Sequence, residues 1–470
     1  MSNSVRGNNR KAKVWPARAS LCVVLVAGLG CASNVFANNA MNPHGYGTKN
    51  KAMGGAGIAY PREAMAVVNN PAVALAVAGQ MQSGLTVFHP RVRYYSTESS
   101  NNGQNGAFTI DPGRVDAESQ TSWLPYFATS AKLQENSAVA VSLYSTAGMN
   151  VYYRGGSATF DPDGDGPEPV QTFPGTLGDG DTRWRLHRVM LDMTYARQLN
   201  DKISLGVSGV LAAQRFRANG LGRLDRLTET FAASGGSLMP ENLTANGYDR
   251  SYGAGIKLGL HARFTSTISF GLMYQSKIYM SKIDDYADLL PNSGKLDIPA
   301  NLKIGLTWQP LDNLAFSIDA EHIFNKSVDL LDNSLDDLFQ CPTANRGGED
   351  LTRCLGGKNG GGLGWGSMSI YKIGGSWKVN DKWTLLAGFS FANQPISVSQ
   401  TTNNLLTPYL AEAHYTFGVS RAVGPNAELN FSVAYSEEES QESFNRFDPS
   451  QNLNIESDQF DFDLSYSWSF

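Results

Sequence analysis

The feature that most constrains this 470-residue chain is the alternation of very short and very long connections between fourteen predicted strands. The short connections, such as KLQEN, LND and VGPN, carry the Asn, Asp, Pro and Gly that tight hairpin turns need. Short turns at one end and long loops at the other are typical of an outer-membrane barrel, whereas long structureless loops are rare in compact soluble domains. The long connections are predicted at 95–120, 145–184, 218–247, 281–299, 326–366, 393–410 and 439–458.

The strands themselves alternate between apolar and polar residues, as in ISLGVSGVLAAQRF and AELNFSVAYS. Successive side chains point to opposite faces, so each strand presents one face to lipid and the other to the lumen. In hydrocarbon every backbone amide must pair within the protein, so the sheet has to close on itself. We therefore predict an all-β membrane protein, a 14-stranded antiparallel outer-membrane β-barrel. The strands are predicted at 84–94, 121–131, 137–144, 185–198, 203–217, 248–264, 268–280, 300–309, 313–325, 367–379, 383–392, 411–421, 427–438 and 459–470.

The last strand, QFDFDLSYSWSF, is the most regular of the set. Its apolar face, from Phe460 to Phe470, is predicted to face lipid, and its Asp and Ser face is predicted to line the lumen. To remove both free edges, this strand has to pair with the first one, around 84–94. The terminal Phe470 resembles the aromatic assembly signal by which the barrel-assembly machinery recognises outer-membrane barrels.

The N-terminus has the features of a signal peptide. Five basic residues and no acidic residue surround or precede the apolar stretch LCVVLVAGLGCA, and the small residues of NVFANNA place cleavage after Ala37. The alternative is a retained anchor helix, but the stretch is short for a bilayer span. Without residues 1–37, the chain has 33 basic and 43 acidic residues, and this negative net charge argues against a nucleic-acid partner.

A segment rich in small residues, 38–83, lies between the signal peptide and the first strand. A barrel of fourteen strands is too wide to be filled by its own side chains. Glycines in the segment allow close backbone packing, and its Val, Met and Ile content argues against a disordered tail. We predict a signal peptide at 1–37, an N-terminal hatch, or plug, in the lumen at 38–83, and a transmembrane barrel at 84–470.

Several motifs of this segment resemble those of a known family. The stretch GTKNKAMGGAGIAYPREAMAVVNNPAVAL is similar to the N-terminal hatch of the FadL/TodX family, outer-membrane transporters of long-chain fatty acids and other hydrophobic compounds. The similarity extends to LDIPANLKIGLTW at 296–308 and HYTFGVSRAVGPNAELNFSVAY at 414–435. The matching hatch positions are Glu63, Ala64, Asn70, Pro71 and Ala72, and the terminal Phe470 matches as well.

The resemblance implies passive transport without energy input. In the family, ligand is captured in an apolar groove among the long loops, and rearrangement of the hatch then opens a way out. A kink in the third strand forms a lateral gap into the membrane, and Gly148 stands where that kink is expected. The hatch positions Asn70, Pro71 and Ala72 are expected to lie along the ligand path.

Two of the long loops carry apolar residues at helical spacing. In the family the corresponding loops form the capture groove, and apolar faces on extracellular loops need a partner, which is either the other loop or a ligand. Nearby Arg223, Arg226 and Lys282 either contact a ligand carboxylate or are solvated. The residues at this spacing are Leu221, Leu224, Leu227 and Phe231 in the first loop, and Ile283, Tyr286, Leu289 and Leu290 in the second. Of these, the expected path residues are Leu224, Leu227, Phe231, Tyr286, Leu289 and Leu290.

Three smaller features also lead to predictions. Cys341 and Cys354, in an exported chain, are expected to form a disulfide, with a metal pair as the alternative. Aromatic residues at strand ends are expected to form interfacial girdles. The cluster DPDGDGPE is either a solvated acidic turn or a weak Ca²⁺ site. The girdle residues are Tyr94, Tyr95, Tyr152, Tyr153, Trp365, Trp377 and Trp383, and the Ca²⁺ candidates are Asp161, Asp163 and Asp165.

No nucleotide, metalloprotease or serine-hydrolase motif is found, so neither enzymatic activity nor a cofactor is expected. The sequence favours a passive outer-membrane channel for hydrophobic molecules, with long-chain fatty acids first. The alternatives are a general or sugar-selective porin and an outer-membrane lipid hydrolase. The expected partners are a fatty acid or hydrocarbon ligand, outer-membrane lipids and the barrel-assembly machinery, with the protein itself a monomer.

Overall fold

The computed structural model describes residues 43–118, 121–146, 150–162, 169–342 and 348–470. The predicted signal peptide therefore lies outside the described residues. The strands are β1 Gln80–Ser96, β2 Thr109–Ile110, β3 Gly113–Asp116, β4 Ser122–Gln134, β5 Ser137–Ser145, β6 Asn150–Tyr153, β7 Ser157–Phe160, β8 Gln171–Pro174, β9 Thr182–Gln198, β10 Ile203–Asn219, β11 Asp249–Arg263, β12 Ile268–Gln275, β13 Tyr279–Met280, β14 Asn301–Leu311, β15 Leu314–Ile323, β16 Met368–Lys378, β17 Trp383–Ala392, β18 Ala413–Gly424, β19 Ala427–Asn445 and β20 Asp448–Ser469.

The helices are short, and most lie in the long loops. None of them, in the described part of the chain, is long and apolar enough to cross a membrane. The α-helices are α1 Thr48–Ala52, α2 Ala66–Asn69, α3 Glu229–Ala233, α4 Pro291–Gly294, α5 Asp329–Asp332 and α6 Thr401–Asn404, and the 3₁₀ turns are Pro71–Val73, Gly222–Leu227, Asp284–Tyr286, Asn325–Ser327, Leu335–Gln340, Leu351–Arg353 and Val398–Gln400.

The large sheet closes into a barrel of fourteen antiparallel staves in the described ranges. Three staves consist of two strands each, namely β3 with β4, β5 with β6, and β12 with β13. Closure is made by β1 and β20, whose ladder runs from Gln80↔Ser469 to Ser96↔Leu453. The predicted fold and the predicted pairing of the first and last strands are therefore confirmed. A separate three-stranded sheet, β2-β7-β8, lies in the long loops.

The barrel is apolar outside and polar inside. On β20, the apolar positions Leu464 and Trp468 are 56% and 42% exposed, whereas the alternate positions Asp463 and Ser465 are both 1% exposed. The other strands also expose apolar side chains and bury polar ones, among them Ser, Thr, Lys and Asp. This is the arrangement that a lipid-facing surface around a polar lumen requires.

One predicted long loop is wrong. Residues 439–458 are not an irregular connection, because β19 and β20 continue as an extended hairpin that turns at Arg446 and Phe447. In this extension Leu453 and Ile455 are fully buried against the other loops, while the outward positions are mainly Glu and Asn. Because the outer face of this extension is in water rather than lipid, its outward residues are polar although the strand continues.

Residues 43–79, hereafter the hatch, lie against the buried polar side chains of the strands. Their short helices pack mainly against β9, β10, β11, β18 and β19, and their hydrogen bonds also reach β1, β15 and β20. The first strand begins at Gln80, four residues earlier than predicted. The buried apolar residues of the hatch include Met65, Val67 and Val68.

The long loops share one apolar cluster, hereafter the loop core. It includes Trp184, Phe216, Tyr286, Leu331 and Trp365 among many others. The predicted girdle position of three residues is wrong, since Tyr94, Tyr153 and Trp365 are at most 1% exposed and belong to this core. The Sγ atoms of Cys341 and Cys354 are bonded in a loop that packs against it.

Candidate functional site

The hatch is held to the barrel wall by side chains that point into the lumen. Asp319 of β15 accepts hydrogen bonds at its Oδ2 from the backbone N–H groups of Gly57 and Ile58, at 2.8 and 2.9 Å. A carboxylate that accepts two amide protons makes stronger bonds than a neutral acceptor does. This anchor holds the stretch around Gly57, within the segment rich in small residues, against β15.

A second anchor lies at the seam where the barrel closes. Thr48 donates through Oγ1 to Asp463, and the oxygens of Thr48 and Ser465 are 2.6 Å apart. Lys51 forms an ion pair with Asp463 at 3.1 Å and donates to Thr86 of β1 at 2.6 Å. Both strands of the seam therefore contact the first helix of the hatch.

Glu63 connects the first helix of the hatch to β1 of the wall. Its carboxylate accepts the backbone N–H groups of Lys49 and Asn50 at 3.2 and 2.9 Å, and the side-chain amide of Gln82 at 2.6 Å. Burial raises the pKa of the Glu63 carboxyl, and the hydrogen bonds and Lys49 oppose this shift. One buried carboxylate therefore joins the first helix of the hatch to the first strand of the barrel.

The predicted motif Asn70-Pro71-Ala72 lies at the hatch–wall contact. The Asn70 side chain donates to the carbonyl of Leu260 on β11 at 3.0 Å and accepts from the Ala72 N–H at 3.1 Å. Pro71 approaches β10 so closely that a Cβ on Gly206 would stand 2.3 Å from the Pro71 carbonyl carbon. The wall strand therefore needs a glycine here to admit the hatch backbone.

Buried ion pairs line the rest of the lumen. Lys257 contacts Asp192 at 2.7 Å, and Glu321 bridges Lys303 and Lys372 at 3.3 and 2.7 Å. Lys372 also donates to the carbonyl of His44 in the hatch at 3.0 Å. Sequence reasoning missed these pairs, because their members are far apart in the chain and only the register brings them together.

A cavity of about 450 Å³ opens among the long loops. Its walls come from the loop after β10, the loop after β13 and Gly356. Leu238 and Met239, which line it, are 60% and 59% exposed. Sequence reasoning missed both residues, because they come after the apolar residues at helical spacing and do not share that spacing. The other lining residues are Glu229, Thr230, Glu241, Asn242, Ala287, Asp288 and Ser293.

The predicted groove residues do not line this cavity. Tyr286, Leu289 and Leu290 belong to the loop core, and Leu224 and Leu227 pack against it. Phe231 is buried, and its N–H donates at 3.2 Å to the hydroxyl of Thr228, which caps α3. The apolar faces of the two loops are thus covered largely by each other.

The remaining predicted residues are elsewhere. Arg223 stacks on Phe173, with its guanidinium carbon 4.1 Å from the ring centroid, and does not line the cavity. Gly148, Asp163 and Asp165 lie outside the described residues, so neither the kink nor the Ca²⁺ candidate has a structural description. Phe470 is 63% exposed, and its N–H donates to the Gly79 carbonyl at 2.8 Å.

Among the described residues, the ladder between β4 and β5 is interrupted. The β4–β5 ladder runs from Gln134↔Ser137 to Phe127↔Leu143, and the next described pairing between these staves is the bridge Ala117↔Tyr153. On its other side, β4 stays paired with β1 as far as Phe88↔Ser122. Within the described ladders, residues 122–126 are therefore paired on their β1 side and not on their β5 side.

A closed barrel with an apolar outer face, a docked hatch and capping loops defines a plugged β-barrel of the bacterial outer membrane. The family model for outer membrane transport proteins of the OMPP1/FadL/TodX group matches residues 171–467. The chain therefore belongs to this family, and the predicted membership and outer-membrane location are confirmed.

The solved structures that resemble this chain share its fold at low sequence identity. The Pseudomonas putida toluene transporter TodX has 17% identity and a TM-score of 0.61, covering 91% of this chain and 99% of its own. A Pseudomonas aeruginosa FadL homologue has 18% identity and a TM-score of 0.61, covering 92% and 100%. The Ralstonia pickettii toluene transporter TbuX has 18% identity and a TM-score of 0.55, covering 91% and 99%. A comparison with curated proteins found no match.

Proposed function

We propose that this protein is a passive channel for hydrophobic molecules, with long-chain fatty acids as the first class to test. The observation that carries the proposal is the loop cavity with exposed Leu238 and Met239, whose lining loops also contribute to the loop core. Two exposed apolar side chains in a concave extracellular site favour an apolar ligand. Each methylene group of a ligand buried there is stabilised by about 0.8 kcal/mol.

Passage beyond the cavity requires movement of the hatch. The hatch contacts the wall through hydrogen bonds and ion pairs, which can exchange for water, and through an apolar cluster that joins Met65 and Val68 to wall residues such as Val210. A ligand that displaces the loop core would reach these hatch–wall contacts next. We propose that the Asp319 and Asp463 anchors release in turn.

The interrupted edge of β4 is the proposed lateral exit. Residues 122–126 pair with β1 on one side, while the described ladder with β5 ends at Phe127. Trp123, on the outer face of this edge, is 49% exposed. An apolar molecule that leaves here enters lipid without crossing an aqueous phase.

The class of ligand is tested by binding to the purified protein. We expect a fluorescent fatty acid to bind, and Leu238→Asp together with Met239→Asp to weaken binding about tenfold or more, because a buried Leu or Met contributes about 1.5–3 kcal/mol. The control is Leu199→Asp, since Leu199 is 58% exposed in a short turn at the opposite end. Toluene as competitor distinguishes a monoaromatic hydrocarbon from an acyl ligand.

The same preparation tests the porin alternative. Extraction and mass spectrometry are expected to find acyl or aromatic ligands in the purified protein. An empty lumen that conducts ions steadily in planar bilayers, with no fatty-acid binding, would instead establish a porin.

A further inference from the structure

The charged residues that line the loop cavity all have the same sign. Glu229 and Glu241, in the loop after β10, and Asp288, in the loop after β13, line it together with the exposed Leu238 and Met239. Among the described parts of the chain, no basic residue lines it. The cavity therefore presents apolar side chains and three carboxylates to a ligand that enters it.

Hydrogen bonds between neighbouring segments fix the walls that carry these carboxylates. Asp288 accepts hydrogen bonds from the Thr230 hydroxyl and, at 2.9 Å, from the backbone N–H of Asn242, so it joins the two loops. The backbone N–H of Glu229 donates to the carbonyl of Leu355 at 2.9 Å. Because these partners are neutral, they fix the geometry of the cavity without cancelling its negative charge.

The basic residues of the same two loops lie away from the cavity. Residues 218–247 and 281–299 contain seven acidic and four basic residues. The guanidinium of Arg223 stacks on the ring of Phe173, and the Nζ atom of Lys295 donates to a backbone carbonyl at 2.6 Å. A carboxylate ligand would therefore meet no cation of these loops at the wall of the cavity. The four basic residues, none of which lines it, are Arg223, Arg226, Lys282 and Lys295.

We propose that the loop cavity selects apolar ligands by charge, and that it binds alkyl amines and uncharged compounds in preference to carboxylates. The inference rests on the proposed function and narrows the class of ligand that the loops capture. Leu238 and Met239 contact the apolar part of the ligand, while the acidic residues repel an anionic head group. A cleft lined by charges of one sign also concentrates ligands of the opposite sign. A fatty acid binds through its chain, but its ionised carboxylate weakens the binding.

The test compares three ligands that share one alkyl chain and differ in the charge of the head group. Decylamine, which is protonated at neutral pH, decanol and decanoate each compete with the uncharged fluorescent probe N-phenyl-1-naphthylamine for the purified protein in a nonionic detergent. We expect decylamine to bind about tenfold more tightly than decanoate, with decanol between them, because one pair of charges about 4 Å apart changes binding about fivefold even in bulk water. The difference should shrink as salt is raised. Equal displacement of the probe by the amine and the carboxylate would overturn the inference.

Variants then assign the selection to the cavity. Replacing Glu229 and Glu241 with Gln removes two of its negative charges, so the ratio of the decylamine affinity to the decanoate affinity is expected to fall about fivefold. The matched control replaces Asp284 and Asp332 with Asn, because both are exposed acids of the long loops that do not line the cavity. Partition of the ligands into detergent is the same for every variant and cancels when the ratios are compared. An equal fall in the two variants would overturn the inference.

The inference and the proposed function fail in different ways. If neither the probe nor any of the three ligands binds, the proposed function is wrong and the inference fails with it. If all three ligands displace the probe equally, capture of apolar ligands is retained and only the selection by charge is refuted. The wild-type comparison does not depend on how well the variants fold.

Discussion

Replacing Asp319 with alanine is predicted to loosen the hatch without opening the barrel. Asp319 accepts two backbone N–H groups of the hatch through one carboxylate oxygen. A hydrogen bond to a charged group contributes about 1.5–3 kcal/mol, so the two together contribute about 3 kcal/mol at the low end. Since 1.4 kcal/mol corresponds to a factor of ten, the detached state of this segment should become about 100-fold more populated.

Hydrogen exchange followed by mass spectrometry measures this population directly. Peptides that contain Gly57 and Ile58 should lose about 100-fold of their protection in Asp319→Ala. In Asp319→Asn the loss should be about tenfold, because the amide keeps an acceptor oxygen but not its charge. Asp312→Ala is the matched control, since Asp312 is exposed in the turn between β14 and β15. Unchanged exchange in Asp319→Ala would refute the anchor.

Two further predictions concern assembly and packing. Phe470→Asp should lower the amount of folded barrel in the membrane, seen as heat-modifiable protein on gels, far more than Ser469→Asp does; equal levels would contradict the role of the terminal aromatic. Gly206→Ala should cost about 1–3 kcal/mol of hatch docking, because its Cβ would overlap the Pro71 backbone. Gly209→Ala on the same strand meets no atom within 4 Å and should leave hatch protection unchanged.

The barrel could be predicted from sequence because its signals are local. Alternation of apolar and polar residues fixes the faces, and the turn residues fix the short connections. The prediction failed where the environment changes along one strand: β19 and β20 leave lipid and continue in water, so the outer positions become polar while Leu453 and Ile455 pack inward. Periodicity in such a segment no longer indicates a membrane strand.

The site was only partly predictable, because it depends on register between distant strands. The motif at Asn70 was found, since it lies in one continuous segment. Its partners on the wall were not, because nothing in the sequence states that Asp319 would lie beside Gly57. Leu238 was missed for a related reason: an exposed residue in an irregular loop shows no pattern until the cavity around it is seen.

The central claim is that hydrophobic molecules pass only when the hatch moves. A reversible disulfide cross-link between hatch and wall, hereafter the staple, tests it most directly. The side-chain oxygens of Thr48 and Ser465 are 2.6 Å apart, so Thr48→Cys with Ser465→Cys places two thiols within bonding reach across the hatch–wall contact. Uptake of labelled oleate and toluene is measured in liposomes before and after reduction, with Thr48→Cys alone controlling for reduction of the native disulfide. We predict that the oxidised staple blocks uptake and that reduction restores it. Equal uptake in the two states would contradict the account.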